Sequence, residues 1–225
     1  MYFSRIRLRT DADTGILARQ LCEDDSYREH QMLWRLFSDD PNTERDFLFR
    51  RDDYNSWPQF YLVSQRTPEG KDGVWQIDER KYQPKLFKGE KLAFSLRANP
   101  VITRKDSSGK HKRHDLVMDI KIRSDWRLNS GSERKSLYEL TQMAGETWLS
   151  PRLERNGGKL ETLNTEGYQQ HKTSKRGLTK PIQYSSLDLT GILSVTDPDV
   201  FTQTLYRGLG PAKALGCGLL LVRRI

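Results

Sequence analysis

The second half of the chain carries an order of strand and helix patterns that few folds accommodate. Strand-like alternation and helical periodicity follow one another, in chain order, at 92–98, 133–155, 159–169, 181–195, 198–208 and 217–224. The second helical pattern begins after Asp197, a favoured N-cap residue, and has Pro198 at the first position, where proline is tolerated. The resulting order, β-α-β-β-α-β, predicts the split βαβ arrangement of the ferredoxin-like fold.

The first half of the chain shows the same order in part. One helical pattern spans 27–37, and strand patterns lie at 1–9, 46–52, 59–65 and 74–82. We identify no second helical pattern in this half. Because a turn pattern at 88–91 separates the halves, and 225 residues suffice for two small domains, the sequence predicts an α+β protein. Its two tandem ferredoxin-like domains are expected at 1–90 and 91–225.

Charge and cysteine content limit the partners and the compartment. The chain has 38 Lys and Arg against 30 Asp and Glu, a net charge of +8 and a pI near 9.5. This excess favours a nucleic-acid partner, although heavily charged solvated surfaces reach similar values. Cys22 and Cys217 lie far apart and predict reduced thiols. Without a signal-peptide pattern or a membrane-spanning run, we expect a soluble, cytoplasmic protein with no membrane contact.

A glycine-rich segment at 208–218, here called the glycine segment, lies between the last helix and the last strand. It contains Gly208, Gly210, Gly216 and Gly218 together with Lys213. Dinucleotide and P-loop motifs are excluded, because both open a helix after a strand. A helix cap and a tight turn account for Gly208 and Gly216 only. Main-chain N–H groups in such a turn bind anions, so the segment predicts contact with a phosphate backbone.

The start of the first helix carries the first candidate for chemistry. Ser26 and Glu29 fit a capping box, which makes Ser26 the N-cap and Tyr27 the first helical residue. His30 then shares a face with Tyr27 near the positive end of the helix, where a phosphate is favoured. Histidine titrates near neutrality and transfers protons in phosphoester chemistry.

A structural interpretation of His30 competes with the catalytic one. The imidazole shares a helix face with three apolar residues, Leu33, Trp34 and Phe37. The side chain therefore fits a packed histidine at the end of an apolar stripe as well as a proton-transfer residue, and the sequence leaves both open.

Two basic segments are candidates for RNA contact. The first surrounds a Ser-Ser-Gly turn and contributes Arg104, Lys105, Lys110, Lys112 and Arg113. The second lies between two predicted strands and contributes Lys172, Lys175 and Arg176. Phosphate contacts suit both segments, although solvated charge runs are the common alternative.

The motifs that the sequence lacks limit the reaction mechanisms that we expect. No His, Cys, Asp and Glu cluster has metal-ligand spacing, and the aromatic signature of RRM domains is missing. We therefore expect no metal and no cofactor. An RNA-cleaving reaction would then use the substrate's own 2′-hydroxyl as the nucleophile, with His30 moving protons and cationic or N–H groups stabilising the phosphate.

Together these motifs resemble the CasE (Cse3) family of CRISPR RNA-processing endoribonucleases of type I-E Cascade. The resemblance covers nearly the whole chain and depends on five segments in order, YxxHQxLWxLF at 27–37, RDFLFR at 45–50, LRANP at 96–100, DSSGKHKR at 106–113 and GLGPAKALGCGLL at 208–220. It implies two tandem ferredoxin-like domains and metal-independent cleavage at the 3′ base of a repeat hairpin. The implied products carry a 5′-hydroxyl and a 2′,3′-cyclic or 3′ phosphate.

The resemblance also implies residue roles and partners. The family's catalytic histidine and its companion tyrosine fall on His30 and Tyr27, and its glycine-rich loop falls on the glycine segment. Lys172 and Lys175 are the candidates for the assisting lysine that some members use. The implied partners are the CRISPR repeat hairpin and other Cascade subunits. Two alternatives remain open, a non-catalytic RNA-binding subunit and a metal-dependent nuclease.

Overall fold

A computed structural model describes residues 1–10, 15–22, 26–37, 45–53, 57–124, 126, 130, 134–173 and 181–225. The described chain forms two four-stranded antiparallel sheets and one two-stranded ribbon. No helix within the described residues is long and apolar enough to cross a membrane.

The first sheet contains the four predicted strands of the N-terminal half. The elements are β1 (Tyr2–Leu8), α1 (Gly15–Cys22), α2 (Ser26–Trp34), β2 (Phe47–Arg51), β3 (Gln59–Ser64) and β4 (Trp75–Lys81), with strand order β2-β3-β1-β4. Ile6 of the central strand β1 lies opposite Phe60 and Ile77, and its side chain is fully buried. The described connection 65–74 between β3 and β4 contains no helix, which is why the sequence shows no second helical pattern here.

The second sheet has the same order and keeps both crossover helices. The elements are β5 (Lys91–Ala98), β6 (Val101–Lys105), β7 (His111–Asp115), α3 (Leu116–Arg123), α4 (Leu137–Arg155), β8 (Gly158–Thr173), β9 (Ile182–Val195), α5 (Pro198–Arg207), a 3₁₀ turn (Lys213–Leu215) and β10 (Leu220–Arg224). The strand order is β10-β5-β9-β8. Counted within each half, both sheets therefore run 4-1-3-2, which confirms the predicted ferredoxin-like fold. The domain boundary at residue 90 stays a prediction.

The start of the last helix follows the predicted chemistry, and the start of α4 requires a correction. The Asp197 side chain accepts hydrogen bonds from the N–H groups of Asp199 and Val200, as the N-cap assignment requires. The long helix α4 begins after Ser136 rather than at 133, because Ser136 and Glu139 form a complete capping box. The basic segment predicted between β5 and α4 is not a simple loop, since it contains the hairpin β6–β7 and the short helix α3.

A shared apolar layer joins the two sheets. Leu48 and Val63 of the first half pack with Leu219 of the second, and all three are buried. Each fully buried side chain of this size contributes about 1.5–3 kcal/mol. The Arg50 guanidinium adds a 2.7 Å hydrogen bond to the Ser95 hydroxyl. The glycine segment is thereby held against β2 and α2.

Candidate active site

His30 lies on α2 inside a cluster of aromatic rings. Its imidazole stacks on Phe47 and Phe49, with centroid distances of 5.6 and 6.1 Å, and meets the edge of Trp34 at 5.7 Å. Packing of this kind fits the structural interpretation of the histidine. The buried Nδ1 atom, however, has no hydrogen-bond partner among the described residues. Because buried polar groups are almost always paired, this nitrogen is available to a ligand.

One cation, Arg45, acts electrostatically on the imidazole, and a second, Lys213, is linked to this site through Arg45. Burial, and secondly the charge of Arg45, lower the pKa of His30 to about 4. Burial lowers the pKa of Lys213 as well, followed by the charges of Arg45 and Arg207. Arg45 thus interacts electrostatically with both His30 and Lys213. We call these three residues the cationic cluster. With the imidazole neutral at pH 7, the positive charges of Arg45 and Lys213 make this an environment that attracts an anion.

Arg45 has unused hydrogen-bonding capacity. Its Nη1 atom is buried and has no partner within the described part of the chain, and burial lowers the pKa of the guanidinium. Lys213 Nζ makes one 2.6 Å hydrogen bond, to the main-chain oxygen of Arg207, which leaves two of its three donors for other acceptors. A phosphate oxygen is an acceptor that satisfies both residues.

The glycine segment brings Lys213 to this cluster by packing on β2. All four of its glycines have positive φ, from 69° to 89°. A Cβ at Gly208 would lie 2.8 Å from Leu48, and one at Gly216 would lie 3.3 Å from the Phe49 ring that stacks on His30. The prediction that a helix cap and a tight turn explain only Gly208 and Gly216 was therefore wrong. Positive φ angles and close packing account for all four glycines of the segment.

Gly210→Ala is expected to destabilise the protein by about 2–4 kcal/mol. The residue has φ 78°, and an added Cβ would lie 2.5 Å from the buried ring of Trp148. The measurement is the free energy of unfolding in urea. Gly109→Ala is the matched control, since Gly109 has the same φ of 78° with nothing within 4 Å of an added Cβ. It should lose only about 1–2 kcal/mol. Equal losses in the two variants would contradict the packing assignment.

Polar contacts fix α2 between the two halves. The Arg51 guanidinium donates a 2.6 Å hydrogen bond to the buried carboxylate of Glu29, tying α2 to β2. The Tyr184 hydroxyl of β9 donates a 2.7 Å hydrogen bond to the Ser26 hydroxyl. Ser26 is the first helical residue rather than the residue before the helix. Tyr27 is half-buried in the first turn, one turn before His30.

The predicted RNA-contacting residues are dispersed around this centre. Two of them have acidic partners, since Arg104 forms an ion pair with Asp119 and Lys112 with Asp106. The others on the β6–β7 ribbon, Lys105, Lys110 and Arg113, are exposed, as is Lys172 near the end of β8. Lys175 and Arg176 lie outside the described residues. Their roles in RNA contact stay predictions.

Arg45 is the site residue that the motif analysis did not assign. It is the first residue of the RDFLFR motif, but the motif alone indicates no role for it, because its neighbours in the fold lie on other elements. One signal was present in the sequence, a basic residue placed two positions before an aromatic strand residue, Phe47. The importance of Arg45 becomes visible only in the structure, where the Phe47 ring packs on His30.

Comparisons with known proteins agree with the fold and the motifs. A family model described as CRISPR associated protein matches residues 1–224. The Cascade subunit CasE of Escherichia coli K12 is 30% identical over 224 residues, which covers 98% of both chains. The CRISPR-associated endoribonuclease Cse3 of Thermus thermophilus is 31% identical over 144 residues, 63% of this chain and 59% of that one.

Two solved structures share the whole architecture. The crystal structure of Cas6e from E. coli K-12 superposes with a TM-score of 0.65 at 26% identity and full coverage of both chains. Cse3 of T. thermophilus, bound to an RNA representing a pre-cleavage complex, gives a TM-score of 0.69 at 25% identity, covering 99% of this chain and 98% of that one.

Proposed function

The chain belongs to the CasE family of CRISPR-associated proteins, and from this premise we propose that it is the endoribonuclease that processes CRISPR precursor RNA. The substrate is the repeat hairpin, cut at the 3′ base of its stem, and the mature RNA is retained in Cascade. The relatives named as a Cascade subunit and as an endoribonuclease support this proposal, as does the RNA-bound structure. The observation that carries it is the unpartnered Nδ1 of His30 beside the unpartnered Nη1 of Arg45, both among the described residues.

The reaction is an internal transesterification. The 2′-oxygen of the nucleotide before the cut forms a bond to phosphorus while the bond from phosphorus to the 5′-oxygen breaks. The 2′-hydroxyl gives up its proton to a base and the departing 5′-oxygen takes one from solvent water, so the products carry a 2′,3′-cyclic phosphate and a 5′-hydroxyl. The pentavalent transition state bears extra negative charge on its non-bridging oxygens.

Each group of the cationic cluster has a role in this reaction. His30, neutral at pH 7 because its pKa is about 4, accepts the 2′ proton. Tyr27, one helical turn away, orients the imidazole or the 2′-hydroxyl. Arg45 and Lys213 donate hydrogen bonds to the phosphate oxygens and supply the positive charge that a metal ion supplies in metal-dependent nucleases. The proposed reaction therefore needs no metal.

The basic surface outside the cluster holds the hairpin. Exposed cations of the β6–β7 ribbon and of β8 supply phosphate contacts, which position the RNA without reading its sequence. These are Lys105, Lys110, Arg113 and Lys172. Arg104 and Lys112 join them in this proposal through the donors that their ion pairs leave free.

A non-catalytic RNA-binding subunit is the second candidate function. The observation that favours it is the stacking of His30 on Phe47 and Phe49, which a purely structural histidine would also make. This candidate predicts binding of the same hairpin without cleavage.

A 2′-deoxy substitution in the substrate tests the reaction. Removing the 2′-hydroxyl just before the cut removes the nucleophile, so cleavage should fall below detection while hairpin affinity changes by less than about 3-fold. A deoxy substitution one nucleotide further upstream is the control and should be cut normally. Excess chelator should leave the rate unchanged. Cleavage of the deoxy substrate, or loss of activity in chelator, would contradict the proposed chemistry.

A further inference from the structure

A cavity of about 700 Å³ is lined in part by the residues on either side of Lys213, Ala212 and Leu215. We call it the Asn99 cavity. It is bounded by strands β8 and β9, the base of the β6–β7 ribbon and the glycine segment. Its lining includes Asn99, His171, Tyr184, Ser185, Ala212 and Leu215. Its volume is within the usual range for small-ligand sites.

Two buried polar groups at this cavity lack partners. Asn99 is 7% exposed and Ser185 is 4% exposed. The Asn99 Oδ1 and Ser185 Oγ atoms are buried without any hydrogen bond among the described residues. Each such group costs about 1–3 kcal/mol when it stays unsatisfied. Two of them lining one cavity indicate a ligand that supplies hydrogen-bonding groups to both.

The wall of the cavity suits a flat ligand. The His171 ring stacks on the Tyr184 ring with a centroid distance of 4.6 Å and an angle of 16° between planes. The His171 ring is held by a 2.7 Å hydrogen bond between Nε2 and the Ser186 hydroxyl. Aromatic planes of this kind accept unstacked bases, and side-chain amides read base edges by donor and acceptor pairing.

The position of the cavity joins it to the cleavage site. Ala212 and Leu215 line it from either side of Lys213, whose electrostatic neighbour is Arg45. On the opposite wall, the Tyr184 hydroxyl bonds to Ser26 at the start of α2. A nucleotide whose base entered the cavity could therefore place its phosphate near Lys213.

We propose that the Asn99 cavity binds one unpaired nucleobase of the RNA, from a nucleotide that flanks the scissile phosphate. The Asn99 amide and the Ser185 hydroxyl read the edge of this base, which stacks along the His171–Tyr184 pair. The inference rests on the proposed function for the identity of the ligand. It assigns sequence recognition near the cut to this cavity, whereas the basic surface contributes affinity without sequence preference.

A coupling experiment between protein and RNA tests this assignment. Hairpin RNAs carrying an abasic site at each unpaired nucleotide near the cut are titrated against the full-length protein, with Kd and single-turnover cleavage measured separately. One abasic position should raise the wild-type Kd by about 10- to 100-fold, the usual value of a base-edge contact. With Ser185→Ala or Asn99→Leu, the same abasic site should cost less than about 3-fold, because the contact is already lost.

Ser194→Ala is the matched control, since Ser194 is on the same strand but bonds to Glu161 and does not line the cavity. It should retain the full abasic penalty. An abasic penalty that is the same in wild type, Ser185→Ala and Asn99→Leu would overturn the cavity assignment. Hairpin binding without cleavage by the wild-type protein would instead contradict the proposed function, and the Kd coupling would still decide the role of the cavity.

Discussion

Replacement of His30 by alanine is expected to lower the single-turnover cleavage rate by about 10²- to 10⁴-fold, the usual contribution of a positioned proton-transfer group. Affinity for the hairpin should change by less than about 3-fold, because phosphate contacts to other residues provide most of the binding. The matched control is His111→Ala, which removes an exposed histidine of the β6–β7 ribbon. Cleavage rates close to wild type in His30→Ala would contradict the proton-transfer role and show that the imidazole only contributes packing.

The pH profile provides a second measure of the same group. Since the pKa of His30 is lowered to about 4, the neutral base persists throughout the range from pH 8 to pH 5. The value of kcat/KM should therefore stay level over this range and decrease only as the pH approaches 4. A decrease centred near pH 6.5 would show an imidazole with an ordinary pKa.

Arg45→Met is expected to reduce the cleavage rate by about 10²- to 10³-fold, as removal of one oxyanion donor does in other enzymes. The guanidinium has a buried nitrogen without a partner among the described residues, so its donor is available to a developing phosphate charge. Methionine keeps most of the aliphatic volume. Arg35→Met is the matched control on the turn after α2, where the side chain is exposed.

The Arg45 variant should also move the acidic side of the pH profile to higher pH. Arg45 is the second cause, after burial, of the lowered pKa of His30. Its removal should raise that pKa, so the acidic decrease in kcat/KM moves to higher pH, while the Arg35 variant should leave it in place. If Arg45→Met slows cleavage without moving this decrease, the two residues act independently.

Most strands of the two sheets were predictable from the sequence, whereas the exposed β6–β7 ribbon was not. The pattern at 181–195 predicted β9, observed as Ile182–Val195, because its apolar residues alternate into the core. The ribbon strand His111–Asp115 reads HKRHD and is largely exposed. Such a strand has no apolar face, so its sequence shows no alternation of apolar and polar residues. The short helices α1 and α3 were missed because eight residues span little more than two turns.

The candidate site was predictable only where its residues are close in sequence. Tyr27 and His30 share one helical turn, so their spacing was informative. Arg45 and Lys213 belong to different halves of the chain, and they approach only because Gly208 and Gly216 allow the glycine segment to pack on β2. Similarly, Asn99 and Ser185 meet at one cavity through the pairing of β5 with β9, which no local pattern encodes.

The placement of Lys213 has a consequence for biosynthesis. The N-terminal sheet with α2 contains His30 and Arg45, and N-terminal units generally fold first during translation. The third member of the cationic cluster arrives only with the glycine segment, which follows all of the described helices and every described strand except β10. A partly synthesised chain can therefore hold a folded α2 without an assembled cluster. If Lys213 stabilises the phosphate as proposed, RNA cleavage waits until β10 has paired with β5.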